Sequence, residues 1–113
     1  MERIERTALR NLIHNEQYCR KVLPFIKEDY FTDRLEKVLF TEIYKFVNKY
    51  NNLPTKESLS IEINGNKTIN EDEYKKVTDI LSTLNPEPVN IEWLVETTEK
   101  FCKDRSIHNA ILN

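Results

Sequence analysis

A single glycine, Gly65, stands in a chain of 113 residues. That scarcity excludes a phosphate-cradling P-loop and a dinucleotide-binding fingerprint, both of which need several glycines so that backbone N–H groups can approach phosphate. It also argues against sheet-rich folds built on glycine turns. There are two cysteines, Cys19 and Cys102, and two histidines, His14 and His108. The close C-x-x-C or H-x-x-x-H pairs that preorganise zinc are missing, so no metal site is expected and the cysteines read as small buried hydrophobes. No apolar run approaches the roughly 20 residues of a membrane span, and no secretory apolar region follows the charged start. Net charge is −2, from 17 basic and 19 acidic side chains, so no broad field of one sign draws nucleic acid. No serine–histidine, cysteine–histidine or paired-carboxylate arrangement stands out. These absences predict a soluble, cytoplasmic protein with no catalytic residues and no cofactor.

What is present is helical periodicity. From Asp33 to Tyr50, the residues Leu35, Val38, Leu39, Ile43, Phe46, Val47 and Tyr50 recur at helical steps and form one broad apolar stripe. Phe40 and Tyr44 widen it. Asp33 is placed to cap this helix, with Glu36 at the position from which a carboxylate reaches back to the cap. This stretch is the expected centre of the core, with Phe46 among its buried residues and Lys45 on the polar side.

Shorter helical segments flank it. Residues 2–13 carry the stripe Ile4, Ala8, Leu9, Leu12 and Ile13, while Arg3, Arg6 and Arg10 line another face. The three arginines read either as a solvated face or as a contact patch for an acidic partner or DNA phosphates. Asn15 caps a short second helix, which Pro24 should end or kink near Val22. Phe25, Ile26, Tyr30 and Phe31 form an apolar connector that must pack down on the central helix. Residues 56–69 are ambiguous. Asn64-Gly65 is a hairpin signal, yet Thr55 can cap a helix, Leu59 and Ile63 are four apart, and Asn64-Gly65 can end a helix in the left-handed conformation. With no other candidate strand to pair with, a short helix is the reading adopted. Asn70, with Glu73 at the capping-box position, opens a fifth helix that Pro86 and Pro88 break. Asn90 caps the last helix, whose one side carries Trp93, Leu94, Thr98, Phe101, Cys102, Arg105 and His108, with Ile111 and Leu112 beyond. No stop signal precedes Asn113, which suggests an excised piece of something longer.

The residues thus predict an all-α fold, a compact bundle of about six helices. The chain also resembles the N-terminal domain of DnaB-type hexameric replicative helicases, in the version encoded by large T-even-type phages. The resemblance runs through Leu9-x-x-Leu12-Ile13, Tyr18 to Pro24, Glu28-Asp29-Tyr30-Phe31, Phe40-x-x-Ile43, Leu53-Pro54-Thr55, and Trp93-Leu94-Val95 with Thr98-Glu99-Lys100. It implies one collar domain over 1–113, with a helical head over 1–88. Residues 89–113 would be the first arm of a truncated helical hairpin, and the ATPase motor would be absent. It further implies a non-catalytic domain in the bacterial host cytoplasm that associates with neighbouring helicase subunits and contacts primase and, in some systems, a helicase loader, with direct DNA binding weak or absent. The candidate interface is then Trp93, Phe101, Arg105, His108, Ile111 and Leu112, with Arg3, Arg6 and Arg10 as a secondary patch, and weak self-association through the last helix is expected. Two alternatives stay open: the helicase-binding domain of a primase, and a small DNA-binding helical regulator. The second is opposed by Glu92, Glu96 and Glu99 on the helix that would have to meet phosphate.

Overall fold

Six α-helices and one 3-10 turn make up residues 2–112, the part of the chain described by the computed structural model. They are α1 (Ile4–His14), α2 (Glu16–Val22), the 3-10 turn (Glu28–Tyr30), α3 (Arg34–Tyr50), α4 (Lys56–Asn64), α5 (Glu71–Thr83) and α6 (Ile91–Leu112). No strand occurs among the described residues. Asn113, the expected end of the hairpin arm, lies outside them.

Polar caps set most helix starts, because the first turn of a helix has N–H groups with no partner inside it. Asn15 Oδ1 accepts from the Tyr18 N–H at 3.0 Å, and Asn90 Oδ1 accepts from the Trp93 N–H at 3.0 Å. Asp33 Oδ1 accepts from the N–H groups of Leu35 and Glu36. Asn70 and Glu73 form the reciprocal box expected of them, at 2.8 and 3.2 Å. Thr55 forms another with Ser58, so residues after Thr55 are helical and the hairpin reading falls. Gly65 follows that helix with φ −81°, not in the left-handed region. The left-handed stop sits instead at Asn51, φ 54°, after α3. Asparagine tolerates this conformation better than most residues.

α3 lies at the centre, in contact with α1, α4, α5 and the 3-10 turn, while α6 packs on α2, α1 and the same turn. Leu9, Leu12, Leu39, Ile43, Leu59, Ile63 and Leu94 are completely buried where these helices meet. The connector behaves as its composition requires: Ile26, Tyr30 and Phe31 are buried, and the Phe31 ring stacks on Phe40 with centroids 5.0 Å apart.

Two expectations for α3 need correction. Phe46 is only half-buried, Tyr44 and Tyr50 are exposed, and the buried residues of α3 end at Ile43. The stripe is real, but its last two turns are covered only in part: Val47 packs against the core while Tyr44 and Tyr50 face solvent. Glu36, expected to reach back to its cap, is instead fully buried and turned toward α1.

Candidate functional site

The partner of Glu36 is the arginine stripe of α1. Arg3 Nη2 and Arg6 Nε both donate to Glu36 Oε2, while Glu36 Oε1 has no partner among the described residues. Arg3 also reaches Glu5 Oε2 at 3.5 Å, and Arg105 Nη2 of α6 lies 3.7 Å from the same oxygen. Alternating charges therefore tie α6 to α1 and α1 to α3. Arg10, itself buried, donates from Nε to the Asn85 carbonyl at 2.9 Å and from Nη1 to Glu2. Of the three arginines Arg10 is buried, Arg6 is partly covered and Arg3 is half exposed, and each is paired with a carboxylate. These pairings, made with residues of the same chain, are something a period of three or four along α1 could not reveal.

The candidate residues of α6 divide in the same way. Leu94, Thr98 and Cys102 are buried, and Tyr18 of α2 lies 2.8 Å from Thr98 Oγ1. Thr98 gives its own hydroxyl proton to the Leu94 carbonyl at 2.7 Å, so Tyr18 is the donor in that pair. Phe101 packs partly against the core, and Arg105 lies over its ring at 5.1 Å. These two are brought together, but for internal use; Arg105 Nη1 is buried with no partner among the described residues. Trp93 is exposed in the first turn, and His108, Ile111 and Leu112 are exposed in the last two. At 1.5 Å of rise per residue, Trp93 and Ile111 stand about 27 Å apart, so they do not form one patch.

One exposed apolar residue escaped the sequence reading. Ile107 is 61% exposed and lines a groove of about 480 Å³ with Phe25, Tyr30 and Cys102. The four-residue rhythm of buried positions, Leu94, Thr98 and Cys102, stops at Cys102, so any large apolar residue beyond has no core to enter. Asn109 Nδ2 then donates to the Asp29 carbonyl at 3.1 Å, the last polar tie of α6 to the bundle.

Burial favours the neutral form of two thiols and one phenol where α2 meets α6. Burial pushes the thiols of Cys19 and Cys102 up to about 11, and it drives the Tyr18 hydroxyl far above the usual phenol range. Both thiols are therefore largely protonated near neutrality. No helix is long and apolar enough to cross a membrane among the described residues.

Comparison with known proteins matches the resemblance read from the sequence. The chain is 33% identical over 102 residues to a DnaB-like replicative helicase of Enterobacteria phage T4. This chain is related to a replicative helicase. The match covers 90% of the chain but 21% of the T4 helicase, so the chain spans about one fifth of the length of the relative it matches. No family model matches the chain.

Proposed function

We propose that this chain is the non-catalytic N-terminal collar domain of a DnaB-type helicase, acting in DNA replication through association with like subunits and contacts to primase and a loader. The observation that carries the reading is the similarity to the T4 helicase over nine tenths of the chain. An all-helical bundle whose one glycine sits in an exposed turn has no loop able to cradle nucleotide phosphates, so in this reading the motor belongs to another part of the protein. Subunit association is assigned to the exposed end of α6, where Ile107, Ile111 and Leu112 present apolar side chains to solvent. Such surface normally finds a mate. In this reading α6 is the first arm of the collar hairpin. The expected behaviour is weak dimerisation at high concentration without closure of a stable ring.

Light scattering across a concentration series tests this directly. Apparent mass should rise with concentration, and the double substitution Ile111→Lys with Leu112→Glu should remove the rise. A chain that stays monomeric at millimolar concentration, or a double variant that associates as before, overturns the assignment of α6 to the interface.

A further inference from the structure

The uncovered end of α3 forms one wall of a groove of about 440 Å³, closed on the far side by the α4–α5 turn. Its α3 side carries Phe46 and Tyr50, whose rings lean on each other at 4.7 Å between centroids. Lys45 and Lys49 come from the same helix, and Lys67 from the opposing turn. All three lysines are exposed. Lys49 lies over the Tyr50 ring at 5.3 Å, and neither it nor Lys67 has a carboxylate partner among the described residues. Of the two acids present, Glu42 is buried and already accepts from Asn66 while lying 3.7 Å from Lys45. That leaves Glu62 as the one exposed carboxylate of the groove.

We propose that this groove docks a short acidic peptide segment of a partner protein, one that carries an apolar side chain among its carboxylates. With Lys45 set against Glu42, the ammonium groups of Lys49 and Lys67, unpaired among the described residues, face the single exposed carboxylate of Glu62, which favours an anionic ligand. The aromatic pair supplies an apolar floor for one inserted side chain. A single-stranded nucleic acid fits less well. Phe46 and Tyr50 lean together instead of standing apart as platforms for successive bases. Glu62 would also face the phosphate backbone, whereas a peptide has N–H groups to offer it. The site stands whether or not the helicase reading holds, because it rests on the groove's own chemistry.

Fluorescence anisotropy on the full chain tests it, with a labelled heptapeptide of Asp and Glu around a central Phe. The peptide should bind saturably below millimolar concentration and lose affinity as salt rises. Exchanging its Phe for Ser, or changing Lys45, Lys49 and Lys67 together to Gln, should each weaken binding about tenfold, since three exposed pairs of a few tenths to one kcal/mol sum to that order. Backbone amide shifts in the unmodified chain should concentrate on the last two turns of α3 and on residues 65–68, a reading that does not depend on any variant folding. No saturation at millimolar peptide, shifts centred elsewhere, or unchanged affinity in the folded triple variant would each overturn the proposal. So would an oligo-dT probe that binds the same groove more tightly than the peptide.

Discussion

α3 and α6 are the two longest helices, 17 and 22 residues, and each is buried along its first part and bare along its last. In α3 the buried residues run from Glu36 to Ile43; in α6 they run from Leu94 to Cys102. The shared pattern has different causes. α3 is packed by α1, α4 and α5, and toward Asn51 only Phe46 and Val47 stay partly covered while Tyr44 and Tyr50 are exposed. α6 is packed by α2, α1 and the 3-10 turn, keeps a last tie at Asn109, and leaves Ile107, Ile111 and Leu112 exposed. Periodicity tells which side of a helix is apolar. It carries no information about how far along the axis a neighbour reaches.

The comparison breaks most sharply at Glu36. Replacing it by alanine leaves Arg3 and Arg6 beside a buried, emptied site, and should cost about 3–5 kcal/mol, the range for removing one partner of a buried ion pair. A urea melt showing a loss below about 1 kcal/mol would mean that the α1–α3 tie contributes little and that apolar packing alone seats α3. Within α3 itself, Leu39→Ala should cost about 3 kcal/mol because the side chain is completely buried. Phe46→Ala, toward the less covered end, should cost less, about 2 kcal/mol, since part of its ring stays in water. Equal losses in the two variants would show that the end of α3 is covered after all.

The smallest effect concerns the buried part of α6 and is read by pH. Cys19, Cys102 and Tyr18 all have folded values raised by burial. Stability from these groups is therefore complete below their unfolded values, near 9 for the thiols, and is lost as pH climbs from there through about 11. The unfolded chain releases these protons first, and the folded state falls behind. Thermal melts from pH 8 to 11 should show a steady decline that the double variant Cys19→Ala with Cys102→Ala flattens. A decline equally steep in that variant would assign the loss to other groups.

Much of the fold was legible because capping and periodicity are local. Asn15, Asp33, Thr55, Asn70 and Asn90 each sit within three residues of the N–H they satisfy, so sequence spacing alone reveals them. The Glu36–Arg3 and Glu36–Arg6 pairs bridge residues 33 and 30 positions apart, and no local rule connects them. For the candidate interface, the apolar character of Ile111 and Leu112 was readable. The internal use of Arg105 was not, because its partner Glu5 lies at the other end of the chain. The exposure of Ile107 was not legible either, because the point at which the buried positions of α6 stop is set by its neighbours and not by its own spacing.

The link between α5 and α6 has one further consequence. The carbonyls of Leu84 and Asn85 lie beyond the end of α5, and both are taken by α1: His14 Nε2 lies 2.6 Å from the first, and must carry the proton there, and Arg10 donates to the second. These contacts close loops of 70 and 75 residues, and the Tyr18–Thr98 contact closes one of 80. Along the chain α1 meets α2 and α3 soon after it, whereas the carbonyls that hold His14 and Arg10 follow 70 and 75 residues later. A nascent chain halted before Leu84 therefore has the neighbours that cover most of α1 but lacks the contacts that fix its His14 end.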